Sequence, residues 1–192
     1  SSLTSVIFES GSQLTSIGFE AFQQSGLTTI TIPASVTSIG QIAFYDCDSL
    51  TSVIFESGSQ LTSIGSTVFR ESDLLTTITI PASVTSIDDY AFRSCSNLTS
   101  ILVPSGITYG TYGSNTFRDT PALSNVFFYN KTDEKFYTGV KTDNSITQGS
   151  TKIENDTTPS LNDMAAYFGS DAATGKAYIA SLGYTEPEPE PE

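Results

Sequence analysis

Histidine and tryptophan are missing altogether, methionine occurs once, cysteine twice, and only eight residues are basic against 21 acidic. Each shortage removes a class of function. Without histidine the chain lacks the commonest general base and the commonest metal ligand. A net charge of −13 leaves no basic stripe, so nucleic acid is not an expected partner and an anionic membrane is disfavoured. No apolar run reaches the ~18 residues of a spanning helix, so direct membrane insertion is not expected. No secretory leader is visible. No D-x-[DN]-x-[DN]-G loop or G-G-x-G-x-D repeat appears, so no metal site is expected. Asp46, Asp48, Asp88 and Asp89 read as solvated corner residues. Gly175-Lys176 lacks the glycine spacing and the following Ser or Thr of a phosphate-binding loop. No cofactor and no catalytic residue are expected.

What the chain does have is repetition. Residues 3–49 and 50–97 are near copies, and each splits in two. Units start at Leu3, Leu27, Leu50 and Leu75, with weaker copies at Leu98 and Leu123. A fixed period in the low twenties marks a solenoid, in which each unit buries its apolar face only against its neighbours. In LTTITIPASVTSIGQIAFYDCDS, Leu27, Ile30 and Ile32 follow the L-x-x-L-x-L pattern of an inner strand. Pro33 ends that strand. Val36 to Ile39 form a second, short strand, and the stretch from Ala43-Phe44 onward reads as a helical turn. Stacking predicts a buried column of Phe22, Phe44, Phe69, Phe92 and Phe117, and another of Ile17, Ile39, Ile64 and Ile87.

These units, L-T-x-I-x-I-P-x-x-V-T-x-I-G-x-x-A-F-x-x-C, resemble the BspA-like leucine-rich repeats from Leu3 to about Thr120. The resemblance implies a right-handed solenoid with a main parallel sheet, a narrow second sheet and short helical turns. It also implies adhesion or recognition outside the cell, on a cell surface or virion, without naming a ligand. The expected fold is therefore a leucine-rich-repeat solenoid over residues 1–127, a small α+β cap over 128–184 and a Glu-Pro linker over 185–192. Because the chain starts inside a repeat, it is expected to be a piece of a longer protein.

Strand alternation predicts two outward columns on the main sheet. Ser5, Thr29, Ser52, Thr77, Ser100 and Asn125 form one; Ile7, Thr31, Ile54, Thr79, Leu102 and Phe127 form the other. The second is apolar for a solvent-facing row. It reads either as a partner-binding strip or as β-propensity alone. Ile7, Thr29, Thr31, Ile54, Thr77, Thr79, Leu102 and Phe127 are the candidate contact residues. The double change Ile54→Lys and Leu102→Lys is expected to abolish contact without unfolding the chain. Thr29-x-Thr31 and Thr77-x-Thr79 resemble rows of ice-binding solenoids, but Ser5-x-Ile7 and Ser52-x-Ile54 break the regularity. Arg70, Arg93 and Arg118 form a column of their own. It is either a solvated charge row offset by Glu71, Asp88, Asp89 and Asp119, or a second contact for an acidic or sugar ligand. The partner would be a protein or glycan on another surface, or a copy of the chain itself. An architectural subunit of a coat, fibre or capsid decoration is the alternative. Asn97, Asn130 and Asn155 sit in N-x-[ST] sequons that matter only in a eukaryotic secretory route.

Cys47 and Cys95 occupy equivalent sites two units apart, nearly 10 Å at ~4.8 Å per rung, beyond the ~7 Å reach of a disulfide. They are expected to be free, buried thiols. Beyond Phe128 a strand over 134–141 is predicted. Two helices come next, one opened by a capping box at Ser160 and Asp163, the other running from about Asp171 to Leu182 and weakened by Gly175. Their apolar face is expected to cover the open end of the solenoid, although a separate binding module is the other reading.

Overall fold

A computed structural model describes residues 2–109, 115–142, 146–153, 160–169 and 171–184. The Glu-Pro tract and Asn155 lie outside them. Apolar residues at alternate positions of each unit put one edge of each coil inside. In β2 (Thr29–Ile32) the two isoleucines are buried and the two threonines exposed. β4 (Ser52–Phe55) pairs with β2 in parallel, Ile30 beside Val53 and Thr31 beside Ile54. Further along the stack, β6 (Thr77–Thr79), β8 (Ser100–Pro104) and β10 (Asn125–Asn130) form a second parallel group. β4 and β6 are not hydrogen-bonded strands of one sheet, so the main sheet is split between the third and fourth rungs.

The narrow sheet is continuous: β1 (Ser16–Ile17), β3 (Ser38–Ile39), β5 (Ser63–Ile64), β7 (Ser86–Ile87) and β9 (Thr108–Tyr109) pair in order, all parallel. Its isoleucines are buried in register. A third column joins the rungs through their turns. The N–H groups of Ile42, Phe44 and Asp46 donate to the carbonyls of Ser66, Val68 and Arg70 on the next rung at 2.9–3.2 Å. Ala43 and Tyr45 donate instead to the carbonyls three residues back. This alternation requires left-handed backbone at Ile42, Asp46, Thr67, Glu71, Tyr90 and Ser94, with φ between 53° and 61°. Such a conformation costs a β-branched residue such as Ile42 or Thr67 about 1–2 kcal/mol. The inter-rung bonds offset that cost.

The threonine excess has a structural cause. Thr37, Thr62 and Thr85 each send both N–H and Oγ1 to the threonine carbonyl one rung below, at 2.9–3.2 Å. Thr51 and Thr99 do the same on the main sheet, at 2.8–3.1 Å. The spine phenylalanines stack with centroids 5.2–5.4 Å apart and ring planes within 20°. All but Phe22 are fully buried. Both cysteines are free and buried, as the register predicts. They also have a bonding role: Cys47 Sγ donates to the Phe22 carbonyl at 3.1 Å and Cys95 Sγ to the Phe69 carbonyl at 2.9 Å. Ser72, on the rung between them, gives its hydroxyl to the Phe44 carbonyl at 3.0 Å. The column therefore needs a small side chain carrying a hydrogen, which both residue types supply.

The C-terminal segment departs from expectation in its placement. The edge of the last rung is covered by strands, not helices. β11 (Lys135–Lys141) pairs antiparallel with β10, and β12 (Ile146–Ile153) with β11. The helices α1 (Leu161–Ala166) and α2 (Ala172–Ser181) then return along the outward face of the main sheet. Ser160 and Asp163 make the predicted capping box, and Asp171 caps α2. Gly175 is the point of closest approach of the two helices: a Cβ there would overlap the Ala165 carbonyl of α1. The segment is bolted to distant rungs. The Gly58 N–H donates to the Ser181 carbonyl at 3.0 Å, the Ala82 N–H to the Leu182 carbonyl at 3.1 Å, and the buried Tyr184 hydroxyl to the Ile80 carbonyl. Burial pushes the Tyr184 phenol well above its usual range.

Candidate binding face

The helices divide the outward column in two. Ile7 is 91% exposed and Ile54 41%, and Thr29 and Thr31 also face solvent. Thr77 is half-buried. Thr79 and Leu102 are buried, and Phe127 is only 3% exposed, its ring 5.8 Å from Tyr167 and 6.0 Å from Phe168. Three of the eight candidate contact residues therefore meet the chain's own helices, not solvent. Leu102→Lys would place a charge in a packed layer, so the expectation that this change leaves the fold intact is overturned. The sequence held a signal for this burial. That signal is partial: Phe127, the largest side chain of the column, is covered, but so is Thr79, and Leu102 is no larger than the exposed Ile7 and Ile54.

Where the main sheet splits, α2 stands over the gap. Tyr178 accepts a hydrogen bond from the Phe55 N–H at 3.3 Å, occupying a donor the sheet leaves over. A cleft of about 300 Å³ beneath it is lined by Ile54, Thr77, Thr79, Phe168 and Tyr178, and Thr79 Oγ1 is buried with no partner. Burial raises the Tyr178 phenol.

The arginine column is partly neutralised, its three guanidinium groups meeting two carboxylates. Arg70 meets Glu71 at 2.7 Å and lies 5.3 Å from the Tyr45 ring centroid. Arg93 and Arg118 share Asp119 at 3.3 and 3.6 Å, and Arg93 lies over Tyr90 at 5.5 Å. Asp88 and Asp89 make no ion pair with the column among the described residues. Asp89 is not fully solvated, since its Oδ1 is buried without a partner. On the same flank desolvation raises the Asp48 carboxyl, with smaller contributions from Asp46, Asp73 and Glu71. Among the described residues no group of acidic or cysteine side chains is arranged to hold a metal ion, and no helix is long and apolar enough to cross a membrane. Asn97 ties its amide to the Asp73 carbonyl at 2.8 Å, and Asn130 accepts from the Thr132 N–H at 2.9 Å.

The chain resembles a T. pallidum leucine-rich repeat protein at 22% identity over 62% of this chain and 64% of that one, with a TM-score of 0.41. A leucine-rich cell surface protein from Faecalibacterium prausnitzii matches at 25% over 70% of this chain and 49% of that one, TM-score 0.35. The pneumococcal vaccine antigen PcpA matches at 25% over 64% and 34%, TM-score 0.45. The chain thus spans from about a third to under two-thirds of these proteins' own length. No curated protein sequence is a significant match. The BspA-type leucine-rich repeat region matches residues 2–147 in six copies, and the chain belongs to that family.

Proposed function

We propose that this chain is a non-catalytic recognition or adhesion module, displayed outside the cell, that binds a protein or glycan through the uncovered part of its main sheet. The observation that carries the reading is the outward row of the first three rungs. There Ile7, Thr29, Thr31 and Ile54 remain exposed beside a face that the chain otherwise covers with its own helices. The β2–β4 pair holds Thr29, Thr31 and Ile54 at fixed spacing without loop entropy to lose on binding, while Ile7 lies on the preceding rung, where no main-sheet strand forms. Family membership supports an interaction role, since stacked repeats present extended surfaces. The Arg70, Arg93 and Arg118 column is a weaker second contact, because Arg70 is already paired with Glu71 and Arg93 and Arg118 already share Asp119. The test is a surface-binding screen of the chain on glycan and extracellular-protein arrays, repeated with Ile7→Lys/Ile54→Lys. At least one captured partner is expected to be lost in the folded variant, and capture unchanged for every partner would reject this face. Light scattering at high concentration separates partner binding from self-association.

A further inference from the structure

A second concavity lies away from the open rungs, between α1 and the β10–β11 pair. It is a cleft of about 700 Å³, inside the size range of small-ligand sites. Its wall on α1 is made by Asp163 and Tyr167, four residues apart and so on one face of the helix. Tyr167 is 42% exposed, its ring supported from beneath by Phe127. The opposite wall carries Ser124, Asn125 and Thr138. Asn125 is positioned: its amide nitrogen donates to the Thr99 carbonyl at 3.4 Å and to Ser100 Oγ and Ser124 Oγ at 3.3 Å. Those bonds do not use its carbonyl oxygen. At Thr138 the β11–β12 ladder slips register between Tyr137 and Gly139, and such irregularities re-aim a side chain off the regular pleat. Asp163 accepts from the Ser160 N–H and hydroxyl at 2.9 Å, which holds its carboxyl below the usual range and keeps it an acceptor. Among the described residues no basic side chain lines the cleft.

We infer that this cleft binds a neutral saccharide, with one sugar ring against the Tyr167 face and its hydroxyls bonded to Asp163, Asn125 and Thr138. The chemistry selects that class. A partly exposed aromatic face takes the apolar C–H face of a pyranose, and a carboxylate, an amide and hydroxyls lining one cleft match a ligand that carries a donor and acceptor hydroxyl on most of its carbons. The missing cation disfavours phosphate, sulfate and sialic acid. A quaternary ammonium would want several exposed rings, whereas Phe127 is buried and Tyr167 stands alone. The site is separate from the open rungs, so it does not depend on the function proposed for them.

The test is a glycan array carrying neutral, sialylated and sulfated oligosaccharides, read with the full chain and with Tyr167→Ala. Calorimetry is then run with the best neutral binder, or with maltotriose, cellotriose and triacetylchitotriose if none stands out. Neutral glycans bind, and Tyr167→Ala lowers affinity tenfold or more while Ile54→Lys leaves it unchanged. Ser124→Tyr, an exposed position on the opposite wall, fills the cleft without altering the sequence of α1 and abolishes binding even if Tyr167→Ala loosens the helix. Binding only to sialylated or sulfated glycans, binding that survives Ser124→Tyr, or no neutral saccharide bound at millimolar concentration would each overturn the assignment.

Discussion

The first two rungs and the last four are built from the same repeat but held together differently. In the first two, each rung touches only its neighbours, through the narrow sheet, the turn column and the stacked phenylalanines. In the last four, the C-terminal segment ties the third and fourth rungs directly to the end of the array through Gly58, Ala82, Ile80 and Phe55. The difference teaches that one sequence pattern can leave a face free or fill it, depending on the segment attached to the end of the array. Nearest-neighbour coupling governs the first region, and a long-range brace is added in the second.

Leu102→Lys should have the largest effect. An unpaired charge under the helices costs more than about 4 kcal/mol, and urea melts should show the braced region failing first. Phe69→Ala comes next, at roughly 3–5 kcal/mol for a buried ring stacked on both sides. Phe22→Ala, at the half-buried end of the column, should cost less than half as much. Equal losses at the two sites would erase the contrast between the regions. Gly175→Ala should cost about 1–3 kcal/mol by overpacking α2 against α1. Hydrogen exchange should then quicken in α1, α2 and β8 but not in β3. Cys95→Ala should lose about 0.5–1.5 kcal/mol by removing one of two hydrogen bonds to the Phe69 carbonyl, which keeps the Ser72 N–H at 3.2 Å, while Cys95→Ser should be nearly neutral, because Ser72 already fills the equivalent role one rung away. Burial pushes the Cys95 thiol up to about 12. The folded chain therefore resists ionising it, whereas the unfolded chain loses the proton near 8.5. This contribution to stability is intact below that value and declines as pH rises toward 12. Melts at pH 7 and pH 10, with and without Cys95→Ser, measure it. The smallest effect is Ile7→Lys on the open rungs, within about 0.5 kcal/mol.

Much of this was legible because a repeat reports its own register. Phe44, Phe69 and Phe92 declare a buried column by recurring at one offset, and the same offset separates Cys47 from Cys95 by two rungs. The helices at Ser160 and Asp171 are legible from their caps. Their position is not, because it rests on contacts with no period. Tyr178 reaches Phe55 and Tyr184 reaches Ile80 across more than a hundred residues. Gly175 reads locally as a helix weakener, yet it is what lets α1 and α2 meet. The left-handed residues are hidden for a related reason. Ile42 and Thr67 are among the last residues expected there, and the ladder that holds them exists only between rungs. The open cleft beside Tyr167 joins α1 to strands more than twenty residues earlier, so no local motif marks it.

The brace also gives the molecule a direction under load. Inter-rung hydrogen bonds run along the stack, so tension applied between the ends would open them one rung at a time. Rungs one and two, lacking the tie, would peel in small successive steps at low force. Rungs three to six are looped together by the Ser181–Gly58, Leu182–Ala82 and Tyr184–Ile80 bonds. They would hold until those bonds give way and then release as a single long extension. A module anchored at both ends would thus yield first on the side that carries Ile7 and Thr31, giving up its exposed strip before its braced core.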